Sequence, residues 1–349
     1  MNKNTSAILM AIMAAVLFGL SSPISKLLLT KISPVLIASL LYFGAGLGML
    51  LINIGKKIYK KEQIEARMTQ KELPYIIGMI ILDVAAPVSL LIGINMTTSA
   101  NASLLNNFEI VATSFIALVI FKESIGKRMW VAILLITLSS MILSIKDFDS
   151  LSFSIGSIFI ILACICWGFE NNCTRKLSLK DPMQIVVIKG FGSGFISLII
   201  ALSLNQNCTN ILYLLIALLL GFISYGLSIY FYIFAQRELG AARTSAYYAI
   251  APFIGVILSI LIFDQEITIS FIIALFIMII GAYLAVAERH RHLHIHEEII
   301  HEHRHSHNDN HHKHTHVDLF NEEHSHVHTH KKIKHTHIHT PDIHHTHSH

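Results

Sequence analysis

Residues 14–28 read AAVLFGLSSPISKLL and residues 163–177 read ACICWGFENNCTRKL. Set one above the other at an offset of 149 residues, they align Phe18-Gly19 with Trp167-Gly168 and Lys26 with Arg175. A second echo, at an offset of 143, places Phe121-Lys122-Glu123 against Asp264-Gln265-Glu266, each between two apolar stretches. Self-similarity of this kind marks a chain built from two copies of one unit. The units expected are residues 1–146 and 147–289, followed by a segment of different composition over 290–349.

The surrounding sequence says what each unit is. Of the 349 residues 53% are hydrophobic and only 14% charged, where a soluble protein carries about 25% charged residues. Apolar runs near 7–29, 33–55, 74–94, 98–121 and 128–145, then 153–173, 183–204, 211–235, 243–263 and 269–288, are each suited to crossing a hydrocarbon core of about 30 Å, which takes about 20 helical residues. The fold class expected is therefore all-α integral membrane, with ten transmembrane helices arranged as two five-helix repeats. An odd number of crossings per repeat gives the halves opposite orientations, the inverted-repeat plan of many secondary transporters, with a pathway between them.

Lys and Arg cluster in alternate loops, among them Lys56, Lys57, Lys60, Lys61, Arg67, Lys71, Lys122, Lys127, Arg128, Arg175, Lys176, Lys180, Arg237 and Arg243, with Lys31 and Lys146 the clear exceptions. The positive-inside bias then predicts a multi-pass protein of the cytoplasmic membrane with both termini cytoplasmic. The first apolar run exceeds a signal peptide and has no A-x-A-like cleavage site, so it is expected to stay as an anchor. Cys164, Cys166, Cys173 and Cys208 lack a secreted disulfide spacing. A formal net charge of +4 is too small to suggest nucleic acid as a partner. The phosphate-loop pattern G-x-x-x-x-G-K-[ST] and the zinc motif H-E-x-x-H are missing, and no soluble domain is left to hold a cofactor, so the chain is not expected to be an enzyme or to require a cofactor.

Ionisable residues within spans cost about 2.5–3.5 kcal/mol at a helix centre and usually face a cavity or a partner. Asp83 and Glu109 fall near mid-span, and Glu170 and Lys189 nearer the cytoplasmic ends of theirs. Ser99, Ser103, Asn106, Glu109 and Thr113 recur at steps of three or four, which makes one polar face on the fourth helix. Its counterparts in the ninth are Ala242, Ala246, Ala249, Pro252 and Val256, so one half brings polar groups where the other brings shape. Pro23, Pro87 and Pro252 are hinge candidates. For Lys189 the plain alternative is a side chain that snorkels to the inner surface, and for Arg175, Lys176 and Asp181 it is topology and loop capping. Cys166, Glu170 and Cys173 share a face and are weighed as soft and hard metal ligands against simple packing.

With these residues in place the sequence resembles the drug/metabolite transporter superfamily, and within it the EamA-type permeases, in which a Glu closes the fourth and ninth helices; Glu123 and Glu266 hold those places. It is similar to a branch with L-L-N-x-E in the fourth helix, here Leu104 to Glu109 with one extra residue and either Asn106 or Asn107 as the match. The branch is also resembled through Trp167 to Lys176, Asp181 to Gly190, Gly240 to Tyr247 and the closing stretch from Thr336 to His345. The resemblance implies a ten-helix permease and names no substrate. The candidate pathway set is Asp83, Ser103, Asn106, Asn107, Glu109, Thr113, Glu170, Asn171, Lys189 and Tyr247.

All 23 histidines lie beyond residue 289. They alternate with other residues, as in His290, His292, His294 and His296; His301, His303, His305 and His307; His324, His326, His328 and His330; His335, His337 and His339; and the closing His344, His345, His347 and His349. The segment has no apolar core and is expected to be disordered without metal. Neutral imidazoles ligate zinc, nickel, cobalt and copper, so a divalent transition metal is the expected ligand of the tail. The sequence thus supports a permease of a small metabolite or cation, more readily an exporter, working in the lipid bilayer with a second copy of the chain as a candidate partner. A dedicated nickel, cobalt or zinc exporter predicts that Asp83, Glu109 and Glu170 converge; a membrane-anchored metal sensor or store predicts a closed bundle.

Overall fold

The computed structural model describes residues 3–58, 68–121, 126–147, 152–177, 180–239, 244, 247–263 and 267–286, and the backbone of 290–296, 299–305, 324–330 and 333–339. The membrane part is helical. Among the described residues eight stretches are long and apolar enough to cross a bilayer, and Ala251–Ile262 and Ile269–Ala285 are shorter apolar helices, which agrees with the ten spans expected. Leu51, Leu134 and Ile269 are among many large apolar side chains that face outward, the reverse of a soluble surface.

The first span divides into α1 (Lys3–Gly19) and α2 (Ser21–Leu28), the second is α3 (Pro34–Ile58) and the third α4 (Leu73–Met96). The fourth comprises α5 (Ser99–Leu105) and α6 (Phe108–Phe121), and the fifth is α7 (Lys127–Ser144). Strands β1 (Ile145–Asp147) and β2 (Ser152–Phe153) pair antiparallel where the halves join. Then come α8 (Ile155–Leu177) and α9 (Pro182–Ser203), followed by an eighth span in which α10 (Ile211–Gly221) passes through a π-helix (Phe222–Leu227) into α11 (Ser228–Leu239). The last helices are α12 (Ala251–Ile262) and α13 (Ile269–Val286). Pro87 lies inside α4 as expected of a hinge candidate. Pro252 instead stands in the first turn of α12, where a missing N–H leaves no bond unmade.

The helices exchange partners between halves. The second span packs on the seventh, the fourth on the ninth and the fifth on the tenth; the third packs on the sixth just as the eighth packs on the first. Each of these pairings has its image in the other half, as a two-fold relation between repeats requires. Small residues allow the close approaches: a Cβ built on Gly190 of α9 would lie 2.4 Å from the Gly46 nitrogen of α3. Buried serines fasten the crossings. Ser228 Oγ donates to Ala14 O at 2.8 Å, Ser224 Oγ to Leu17 O at 2.6 Å and Ser139 Oγ to Ala274 O at 2.7 Å, the polar glue typical of helices packed in lipid. Lys26 donates from α2 to the carbonyls of Ile94 and Thr97 at 2.6 and 2.7 Å and closes the C-terminal end of α4.

In the tail, β3 (His290–His296) pairs with β6 (Ile333–His339) and β4 (Ile299–His305) with β5 (His324–His330), all antiparallel. The register sets His292 opposite His337 and His303 opposite His326, a consequence of the alternation in the sequence. Each sheet has two strands, and an isolated ribbon of two strands is marginal in water, which fits a tail with no apolar core. His307, His344, His345, His347 and His349 lie outside the described residues.

Candidate functional site

Four spans from both halves meet at Lys189. One residue before the Gly190–Gly46 crossing, its side chain has 5% of its surface exposed and lies between two carboxylates. Its Nζ is 2.8 Å from Glu170 Oε1 and 3.2 Å from Asp83 Oδ2. The other Asp83 oxygen accepts the Tyr42 hydroxyl at 2.8 Å, and Glu170 Oε1 also accepts the hydroxyl of Thr174, one helical turn along α8. Tyr42 and Asp83 belong to the first half; Glu170, Thr174 and Lys189 belong to the second. With all three ionised the cluster carries one net negative charge. Two carboxylates so deep would be strongly disfavoured alone, and the lysine between them offsets that penalty.

Glu109 forms a separate pair. Its Oε1 accepts Asn171 Nδ2 at 2.6 Å, and the same amide donates to Thr113 Oγ1 at 3.3 Å. Glu109 and Thr113 sit one turn apart on α6, so one amide from α8 bridges both. The approach depends on Gly168: a Cβ there would lie 2.9 Å from Ala112 of α6. At the equivalent place in the first half a Cβ on Gly19 would lie 2.9 Å from Ala251 O, so the two glycines aligned by the sequence repeat do the same work, each against a span of the other half. Glu109 is half-buried, whereas Asp83, Glu170 and Lys189 are buried.

An aromatic cluster on Phe18 lies beside these groups. Its ring centroid is 6.1 Å from that of Trp167, 5.8 Å from Tyr225 and 5.7 Å from Tyr248. Tyr225 in turn is 5.4 Å from Tyr42, which links the cluster to Asp83. The Phe18–Trp167 and Tyr42–Tyr225 pairs are edge-on, and such pairs add about 0.5–1.5 kcal/mol each beyond area burial.

The fourth span tightens between α5 and α6. The N–H groups of Asn107, Glu109 and Ile110 reach back three residues, to Leu104, Asn106 and Asn107, at 3.2, 3.1 and 3.0 Å. Glu109 thereby leaves the Leu105 carbonyl, which accepts the Cys164 thiol at 3.7 Å. Ser99 Oγ meets Ser259 Oγ of α12 at 2.8 Å. Ser103, Asn106 and Asn107 are buried, and Ser103 Oγ, Asn106 Oδ1 and Asn107 Oδ1 have no hydrogen-bond partner among the described residues.

Several expectations change in this light. Lys189 does not snorkel; the carboxylates hold it inside. Asp83 and Glu170 converge on Lys189, while Glu109 pairs with Asn171, so the three acids do not form one ligand set. Among the described residues no group of three His, Cys, Asp or Glu is disposed to hold a metal, and Glu170 is engaged by Lys189 and Thr174 instead of joining Cys166 and Cys173. Tyr248, next to Tyr247 of the candidate pathway set, is one of the aromatic neighbours of Phe18. Asp181 caps α9 as expected, accepting Met183 N–H at 2.9 Å. Glu123 and Glu266 lie outside the described residues. Tyr42, Thr174 and Tyr225 went unpredicted: an isolated hydroxyl in an apolar run carries no sequence signal, although Tyr42 lies four residues before Gly46, at the crossing beside Lys189.

The sequence pattern of the EamA-like transporter family matches residues 5–145 and again residues 154–287. An uncharacterized transporter of Methanothermobacter thermautotrophicus is 28% identical over 287 residues, covering 78% of this chain and 84% of that one. A crystal structure of a protein 14% identical superposes with a TM-score of 0.58 over 80% of this chain and 95% of the other, a likeness of fold.

Proposed function

Because the chain belongs to the EamA-like transporter family, we propose that it is a secondary permease that exports a small metabolite or cation through the seam between its two halves. The observation that carries this reading is the buried cluster of Tyr42, Asp83, Lys189, Glu170 and Thr174, drawn from both halves. A charge network that spans the seam must be rearranged whenever the halves rock, so it is suited to couple their motion to a bound ion or substrate. Glu109, half-buried and oriented by Asn171, is the group that accepts a proton or a cationic substrate from one side and surrenders it on the other. The positive-inside bias supports both termini in the cytoplasm.

The alternating histidines support a tail that binds a divalent transition metal, and the strand register favours this by placing histidines opposite one another. The tail acts on the permease as a buffer or sensor. The Asp83–Lys189–Glu170 arrangement favours metabolite or cation transport over a dedicated metal path, because an ammonium already stands where a metal would need free carboxylates.

The test compares cells expressing the full chain, Glu109→Gln and a version ending at Arg289, at matched levels. It follows exported and retained small molecules without preselection, together with nickel, cobalt, zinc and copper. A compound whose export rises with the full chain and falls back in Glu109→Gln supports the reading. Full-chain cells indistinguishable from empty-vector cells for every compound would overturn it.

A further inference from the structure

We infer that the tightened turn between α5 and α6 is a binding site for a monovalent alkali cation, with Na+ as the ion that fits its donors. Ser103, Asn106 and Asn107 stand at positions i, i+3 and i+4, which places them on one face of the span. Ser103 and Asn107 are 1% exposed and Asn106 7%. Their oxygens Ser103 Oγ, Asn106 Oδ1 and Asn107 Oδ1 are sealed from solvent and lack a hydrogen-bond partner among the described residues. Leaving one such group unpaired away from water is disfavoured, and here three fall within five residues.

The backbone adds to this. The step from α-helical to three-residue bonding across Asn106 and Asn107 frees the Leu105 carbonyl from its usual amide and leaves it with a weak thiol donor at 3.7 Å. The C-terminal end of α5 points its carbonyl dipoles toward the same turn. Uncharged oxygens with one helix end suit a hard ion of single charge, whereas a divalent ion calls for carboxylates. Interrupted spans of transporters bind their coupling ions by the same means, with helix ends and unwound carbonyls. Across the turn Gly255 of α12 packs directly on Ser103: a Cβ there would lie 2.6 Å from Ser103 Oγ. The ion would therefore be enclosed by both halves, two residues from Glu109.

The inference deepens the permease reading by naming its coupling ion, and its test does not depend on transport. Full-length protein in lipid nanodiscs is melted in NaCl, KCl and choline chloride at equal ionic strength, and binding of radioactive Na+ is measured directly. The expected result is saturable binding of one Na+ per chain with a melting temperature higher in Na+ than in choline, and a half-saturating concentration raised at least tenfold in Asn107→Leu. Ser103→Ala, which removes one hydroxyl and adds no volume, gives a weaker rise and decides the matter if Asn107→Leu does not fold. No Na+ preference in the unaltered chain, or a preference unchanged in Ser103→Ala and Asn107→Leu, overturns the site. Either result leaves the permease to be judged on export alone.

Discussion

Phe18 and Trp167 hold equivalent places in the two halves, and their rings meet edge to face with centroids 6.1 Å apart and planes at 75°. Each is followed by a glycine that lets its helix close on a span of the other half, so the two motifs meet across the seam through their aromatics and through their glycines alike. Relative movement of the halves must slide or part these rings.

Replacing Trp167 by Ala is expected to destabilise the protein by about 3–5 kcal/mol, the range for large aromatic truncations, and Trp167→Phe by much less. Trp130 is 47% exposed, so Trp130→Phe leaves Trp167 as the only tryptophan. Its fluorescence should then shift to the red in Phe18→Ala, and a spectrum unchanged by that substitution would show that the rings are not in contact.

Gly19→Leu and Gly168→Leu should cause similar losses, of about 1–3 kcal/mol or more, because both force a side chain against backbone atoms in a packed crossing. Thermal unfolding in detergent measures both. A large loss at one glycine with none at the other would count against the equivalence of the two halves.

Lys189→Met leaves Asp83 and Glu170 facing each other without a counter-charge, and a loss of about 3–5 kcal/mol is expected from breaking a buried ion pair on one side. Adding Asp83→Asn and Glu170→Gln to Lys189→Met should restore much of that stability while transport stays absent. Recovery of transport in the triple variant would remove the cluster from the mechanism.

What the sequence conveyed and what it hid divide along physical lines. Hydropathy runs and repeated motifs placed the spans, and the depth of Asp83 and Glu109 marked them as engaged groups, because burial of charge in lipid is visible in the sequence itself. The partner of each charge depends on which helices cross, and that is a long-range property. The sequence therefore leaves Lys189 open to both a pathway role and a snorkelling one, while Gly190 beside it holds the clue to a close crossing. The split of the acids into one group on Lys189 and another on Asn171 depends on rotations of α6 and α8 that a period of 3.6 residues does not set.

The tail gives a prediction of its own. Because ligation needs neutral imidazoles, zinc or nickel binding by the full chain should weaken at least tenfold between pH 7.5 and about pH 5.5, on either side of the ordinary histidine value of about 6.5. Calorimetric titration at both values measures it, and a version ending at Arg289 should show almost none of the binding at either.

The π-helix at Phe222–Leu227 has a consequence for how this chain tolerates change in length. A π turn holds one residue more than the α-helix around it needs, and each residue of an α-helix turns the chain by about 100°. Deleting one residue within this segment would therefore let α10 and α11 run on as a single regular helix with the faces on either side still in phase, whereas the same deletion in a regular helix would rotate everything after it by a quarter turn or more. Ser228 would keep Ala14 and Tyr232 would keep Tyr248, which it now meets at 4.8 Å. The extra residue is absorbed where it stands, and among the described helices this is the point where the reading frame of packing, as distinct from that of the gene, best survives the loss of a single codon.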